Sequence, residues 1–429
     1  MHYKSALIQE SAKSYLIYKA YCAIILVTKG RYIMKIRRIT ALFCTFALTL
    51  GVAGCGGENA VTETTEVSKT EEVSAVEDGA TKTYPASADY TKLLGRAYYD
   101  GSELICAYSG TGCEFTFTGT KAEIAVKGDS AAKTGNDDNN ARLAVYVDGE
   151  RVIDEMLTES EHTYTAFESD AEKTVTISLV KLSETAQSTF SVTGITVEGG
   201  EIAPTPDKDL YIEFVGDSIT CGYGVDDEDR DHHFSTTTED CTRAYAYKTA
   251  QLLDADYSLV SISGYGVISG YTNDPSVKSE QQIMPLYYDK IGFSYTRSDV
   301  SDIEWGFERQ PDVIVINLGT NDESYTKTDA DKMAEFGDAY IEFVKHIREK
   351  NPDAKILCTL GVMGNTLART ILTQVKAYNE ETGDTNVYAM ALAPQNQADG
   401  YAADWHPTEA THTKVSVKVA DKIKEILGE

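Results

Sequence analysis

Cysteine is scarce: eight in 429 residues, none spaced as a C-x-x-C pair, which excludes a disulfide-stapled scaffold and leaves a structural zinc site without support. Five of them, Cys106, Cys113, Cys221, Cys241 and Cys358, lie beyond Cys55. An odd number cannot all pair internally, and Cys221 with Cys241 is a bridge the sequence leaves open. Basic charge is the second shortage. With 39 Lys and Arg against 67 Asp and Glu the net charge is −28, which argues against nucleic acid, an anionic membrane surface or a polyanionic substrate and leaves neutral polymers or small molecules. Nine prolines, and 32 glycines without a repeat, exclude a collagen-like chain, and 42% hydrophobic residues exclude a wholly disordered one.

Long apolar runs are also missing. The uncharged, mostly apolar stretch from Ile39 to Ala53 falls short of the roughly 20 residues a spanning helix needs. It follows basic Lys35, Arg37 and Arg38 and precedes small residues, the layout of an export signal beginning at Met34. Val52-Ala53-Gly54-Cys55 resembles the lipobox of bacterial lipoproteins, in which the cysteine is lipidated; the alternative is an ordinary cleaved signal. Residues 1–54 are therefore read as an upstream segment plus signal, with translation expected to start at Met34. The protein is expected on the extracellular face of a bacterial membrane, anchored through Cys55, or secreted. Their removal takes away mainly basic groups, so the mature chain is more acidic still.

Residues 55–84 are rich in Thr and Glu and read as a disordered acidic tether. From 85 to 203 short segments alternate with period two, as in Cys113–Phe117, Ala122–Val126, Leu143–Val147, Thr174–Val180 and Phe190–Val197, with a hairpin signal at Asp148-Gly149. This predicts an all-β, jelly-roll-like sandwich, ended by the Pro-containing connector Ile202–Pro206. From 208 to 429 continuous apolar strands at Tyr211–Val215, Leu259–Ile262, Val313–Leu318, Ile356–Leu360 and Val387–Leu392 alternate with amphipathic stretches at Met333–Ile347 and Val415–Leu427. The alternation predicts a three-layer α/β domain around a parallel sheet.

Ligands bind at the carboxyl edge of such a sheet. The first strand runs into Gly216-Asp217-Ser218, placing there a hydroxyl and a backbone N–H suited to a developing oxyanion, or else a serine that merely caps a helix. A later strand delivers Asn321, and His406 precedes the last helix, so serine, amide and imidazole are expected to converge. Asp229–His233 has the composition of a metal cluster but reads as a solvated acidic loop. His162, His346 and His412 have no partners that sequence supplies.

Gly216-Asp217-Ser218-Ile219, Ser263-Gly264-Tyr265-Gly266, Gly319-Thr320-Asn321-Asp322 and Asp404-Trp405-His406-Pro407 resemble, in order, the four blocks of the SGNH (GDSL-type) hydrolases. With Gly95-Arg96 and the Ser218–Gly224 run, the chain from about Tyr90 onward is similar to carbohydrate esterase family 2, whose members join a β-sandwich to an SGNH domain and remove acetyl groups from plant polysaccharides. The resemblance implies Ser218 as nucleophile and His406 as general base, with an oxyanion hole made by the Ser218 and Gly266 N–H groups and the Asn321 side chain. It also implies a preference for O-6 acetyl groups of hexoses, with no cofactor and no metal. One position departs from the superfamily pattern: the acid usually found three residues before the histidine is here Ala403. Asp404 is then an orienting acid, which needs a bend in the chain, or a helix-capping carboxylate, with a backbone carbonyl orienting His406 instead. Tyr223, Trp305 and Trp405 are the candidate substrate contacts, the two tryptophans with packing as their alternative role. A cell-wall acetylesterase or GDSL lipase on the same scaffold, and a non-catalytic surface glycan-binding lipoprotein, are the competing readings.

Overall fold

The computed structural model describes residues 81–429 apart from 136. The signal, Cys55 and the tether up to residue 80 lie outside the described residues.

Ten strands form the N-terminal part: β1 (Thr81–Tyr84), β2 (Lys92–Leu94), β3 (Tyr98–Tyr99), β4 (Leu104–Cys106), β5 (Gly112–Gly128), β6 (Arg142–Val147), β7 (Glu150–Met156), β8 (Glu161–Lys181), β9 (Phe190–Glu198) and β10 (Glu201–Pro204). Their order is β3-β4-β9-β5-β8-β6-β7, with β1 on β9 and both β2 and β10 on β5. The segments Cys113–Phe117 and Ala122–Val126 are one strand, β5, in which the register shifts after Gly119. A bulge there bends the strand. The first half of β5 is flanked by β2 and β10 and the second by β9, while β8 accompanies both. Phe115, Phe117, Ile124, Leu143, Ile177 and Val192 from the two halves share one core. Asp148 and Gly149 both have positive φ (49° and 85°), as a two-residue hairpin whose twist matches its strands requires.

The sandwich begins a few residues earlier than expected. Thr81–Tyr84, assigned above to the tether, pairs with β9, and the connector's first residues pair with β5. Each is a short edge strand with few buried side chains, so neither shows a strong apolar alternation.

The C-terminal sheet is wholly parallel, in the order β12-β11-β13-β14-β15. Its strands are β11 (Tyr211–Gly216), β12 (Asp256–Ser261), β13 (Val313–Asn317), β14 (Lys355–Leu360) and β15 (Val387–Ala391). Strands β11, β12 and β13 are buried throughout, whereas only Val387 is fully buried in β15, an edge strand. Helices α1 (Ser218–Cys221), α2 (Tyr245–Leu252), α3 (Thr320–Thr326), α4 (Ala330–Lys350), α5 (Ala368–Thr382) and α6 (Glu409–Leu427) complete the layers. Phe336, Tyr340, Val344 and Ile347 of α4 with Ile371 and Val375 of α5 cover one face of the sheet. Tyr245 and Ala246 of α2 with Val415, Val419 and Ile423 of α6 cover the other. Each large apolar side chain so buried contributes roughly 1.5–3 kcal/mol.

The two parts belong to one compact unit. Arg96 of the sandwich reaches the first parallel strand and forms a two-pronged ion pair with Glu213, Nε to Oε2 at 3.0 Å and Nη2 to Oε1 at 2.9 Å, both residues buried. Its Nη1 donates to the Tyr288 carbonyl. Such a pair is tolerable in the interior because the fork is fully matched; deleting one partner would strand the other charge. The five cysteines are free and buried, so no Cys221–Cys241 bridge forms. Cys221 Sγ instead faces Ser261 Oγ at 3.2 Å, and Cys241 Sγ faces the Lys181 carbonyl at 3.5 Å.

Candidate active site

At Gly216, the last residue of β11, a Cβ would lie 2.0 Å from Thr220 Oγ1, so the tight entry into α1 needs glycine. Asp217 caps α1 by accepting the Ile219 N–H at 3.1 Å. Ser218 opens that helix, its side chain directed toward a cavity of about 820 Å3.

His406 reaches the same cavity from the loop before α6. Two consecutive non-glycine residues, Asp404 (φ 48°) and Trp405 (φ 63°), are left-handed, a strain of about 1–3 kcal/mol each that the surroundings must hold. The loop is closed by the Ala402 N–H on the His406 carbonyl (2.8 Å) and the Asp404 N–H on the His232 carbonyl (2.9 Å). In consequence the imidazole lies between two oxygens, Nε2 at 2.9 Å from Ser218 Oγ and Nδ1 at 3.1 Å from the Ala403 carbonyl. A carbonyl only accepts, so Nδ1 carries the hydrogen and Nε2 presents its lone pair to the Ser218 hydroxyl.

Asp404 has neither role expected of it. Its carboxylate accepts from Tyr223 Oη (2.5 Å) and the Phe234 N–H (3.1 Å) and pairs with His233 Nδ1 (2.9 Å), while Thr408 caps α6. The bend that the sequence reading required does occur, but it turns the carboxylate away from Nδ1 and the Ala403 carbonyl toward it. Partial burial opposes the charge on Asp404, yet the Tyr223 and His233 hydrogen bonds hold its pKa below the ordinary carboxylate value. Tyr223 acts on the histidine directly: its ring stacks on the imidazole at 3.8 Å between centroids and 17° between planes.

Burial is the main influence on His406, pushing its pKa down from 6.5 to about 4 against the opposing pull of the Ala403 carbonyl and Asp404. The base is therefore ready in its neutral form. We expect kcat/KM to stay level as pH falls through 6.5 and to drop only near the lowered value of about 4. Because the unfolded chain takes up the proton first, stability also declines as pH falls below 6.5 toward 4. Circular dichroism alongside the rate profile separates the two effects, and an acid limb centred at 6.5 in folded protein would contradict this environment.

The oxyanion donors need one correction. The Gly266 N–H donates to the Gln282 carbonyl at 3.2 Å, and the residue does not line the cavity. Gly264 does line it, with φ 82° and open space where a Cβ would be. Among the described residues the N–H groups of Ser218 and Gly264 have no hydrogen-bond partner. The Ser-Gly pair directly after β12 was the available signal. Asn321, at the start of α3, also lines the cavity; its Nδ2 donates to the Tyr265 carbonyl at 2.8 Å and more distantly to Asp217 Oδ2 at 3.3 Å. Asp322 anchors the loop after Gly264 by accepting the N–H groups of Val267, Ile268 and Ser269. Burial raises the pKa of Asp217 to about 7 and that of Asp322 to about 6.

Trp305 is not at the site. It packs beside Ile105, Ile291 and Val300 at the junction of the two parts, 5.6 Å from the Arg96 guanidinium. Trp405 is half-exposed on the cavity wall with Arg230, of the acidic loop, at 4.1 Å over its ring. His346 pairs with Asp289 at 2.8 Å, and buried His412 accepts the Tyr245 N–H at 3.1 Å. The one group of possible metal ligands among the described residues, Glu184, Cys221 and Glu239, is buried and outside the cavity lining.

Residues 93–206 match the family described as Carbohydrate esterase 2 N-terminal, and residues 214–414 match the GDSL-like Lipase/Acylhydrolase family. The chain belongs to carbohydrate esterase family 2. It is 31% identical over 329 residues to the cellulase/esterase CelE of Acetivibrio thermocellus, covering 75% of this chain but 38% of that one. It is 27% identical over 285 residues to an acetylxylan esterase / glucomannan deacetylase of Cellvibrio japonicus, covering 63% and 75%. Among solved structures, the acetyl xylan esterase Est2A from the rumen bacterium Butyrivibrio proteoclasticus superposes with a TM-score of 0.73 at 25% identity, covering 81% of this chain and 99% of that one. The family 2 architecture, an antiparallel β-sheet domain followed by a parallel α/β hydrolase domain, is the one found here.

Proposed function

We propose that the protein is a carbohydrate O-acetyl esterase that removes acetyl groups from plant-type polysaccharides or oligosaccharides, with O-6 acetyl groups of hexoses preferred, through an acyl-enzyme on Ser218. The observation that carries this reading is the hydroxyl–imidazole contact of 2.9 Å, with the far ring nitrogen on a backbone carbonyl. Nε2 takes the Ser218 proton as Oγ attacks the acetyl carbon, then gives it to the departing sugar oxygen; water repeats the sequence on the acetyl-enzyme and acetate leaves. The N–H groups of Ser218 and Gly264 and the Asn321 amide receive the negative oxygen. The strongly acidic chain favours a neutral glycan, and the lipobox resemblance at Cys55 implies work at the outer face of a bacterial membrane.

Acetate release from acetylated glucomannan, beside p-nitrophenyl esters of increasing acyl length, tests the assignment. Most residues that line the cavity carry a hydroxyl, amide or charged group, and Met363 and Trp405 are its large apolar members. We therefore expect acetate to be released and kcat/KM to fall steadily beyond acetyl. A rate that rises with chain length would make it a lipase. Glycan binding without hydrolysis of any ester would leave a surface binding protein.

A further inference from the structure

Glu184 belongs to the sandwich, in the segment between β8 and β9, yet its carboxylate crosses to the hydrolase part. Oε2 accepts the Ser263 N–H at 2.7 Å. Ser263 immediately precedes Gly264, whose N–H is unpartnered among the described residues and whose φ is 82°. The backbone that carries this side chain is itself held from both sides. The Glu184 N–H donates to Glu239 Oε2 at 2.7 Å, the Glu184 carbonyl accepts from Lys181 Nζ at 2.8 Å, and the neighbouring Thr185 Oγ1 donates to the Phe293 carbonyl at 2.9 Å. Glu184, Glu239 and Lys181 are all buried.

On the far side of Gly264 the Tyr271 N–H holds the Gly264 carbonyl at 2.8 Å, and Asp322 gathers the N–H groups of residues 267 to 269. With the Ser263 amide and the Gly264 carbonyl both tied, the peptide between them has little freedom left, and its N–H is without a partner among the described residues at a residue that lines the cavity. We propose that Glu184 is a positioning residue for ester hydrolysis: a side chain of the β-sandwich sets the orientation of the Gly264 oxyanion donor, so the sandwich is part of the catalytic apparatus as well as a neighbour of it. This rests on the serine-esterase reading above.

The test compares p-nitrophenyl acetate kinetics and thermal unfolding for wild type, Glu184→Ala and Glu184→Gln. Losing the acceptor lets the turn relax, and a donor displaced from the oxyanion lowers kcat by about 100-fold in E184A with KM changed less than about threefold. The glutamine amide oxygen still accepts from Ser263, so E184Q is expected to retain kcat within about fivefold. A purely structural contact would instead lower the folded fraction and leave kcat per folded molecule intact. An E184A kcat within about threefold of wild type, or an E184Q loss as large as that of E184A, overturns the proposal. If E184A does not fold, Glu184→Asp decides: the carboxylate withdrawn by one methylene should lower kcat about tenfold or more, and an unchanged kcat overturns the proposal equally. Failure of the esterase reading is distinct, since wild type would then hydrolyse no ester.

Discussion

Ser218→Ala is expected to lower kcat on acetyl esters by on the order of 10^4-fold or more without changing the fold, and His406→Ala to do about the same. The two changes together should cost little more than either alone, because hydroxyl and imidazole act as one unit. Asp404→Asn is the informative contrast. In a triad the acid holds Nδ1–H, and its loss is severe. Here the Ala403 carbonyl holds that hydrogen at 3.1 Å, and Asp404 is spent on Tyr223, Phe234 and His233. Asparagine keeps an acceptor for Tyr223 and tolerates the left-handed conformation at residue 404, so the loss should stay within about tenfold. Steady-state kinetics on purified variants check this, and an Asp404→Asn loss equal to that of His406→Ala would mean that the acid does orient the base.

The second large effect is at Asn321. Replacing it with alanine removes the proposed side-chain donor to the tetrahedral oxygen, whose Nδ2 must release its weaker 3.3 Å contact with Asp217 to serve there, and kcat should fall about 100-fold or more while KM for small esters changes little. The Tyr265 carbonyl also loses its partner at 2.8 Å; an unsatisfied buried acceptor costs about 1–3 kcal/mol, so a lower unfolding midpoint is expected as well. Rates measured well below that midpoint keep the two contributions apart. A kcat unchanged in the folded variant would show that the oxyanion is received elsewhere.

Much of this was legible along the chain. Buried runs such as Val313-Ile314-Val315-Ile316 could serve only a sheet covered on both faces, and the spacing from Met333 to Ile347 fits only a helix packed on one side. Ser218, Asn321 and His406 were also readable, because each follows a strand or precedes a helix where side chains meet at the sheet edge. What escaped depends on backbone detail. Whether the N–H of Gly264 or of Gly266 is free is decided by the Gln282 carbonyl, 16 or more residues away in sequence. Left-handed geometry at Asp404 and Trp405 reverses which oxygen meets the imidazole, and no residue pattern announces it. Glu184 sits 79 residues from Ser263, in what reads as an unrelated β domain, and only the packed structure joins them.

Mass spectrometry of protein quenched during turnover of an activated acetyl ester addresses the central claim most directly. The account predicts acetylation confined to the Ser218 peptide in wild type and lost in His406→Ala. An acetyl group on another residue, or Ser218 labelled equally well without the imidazole, would contradict it.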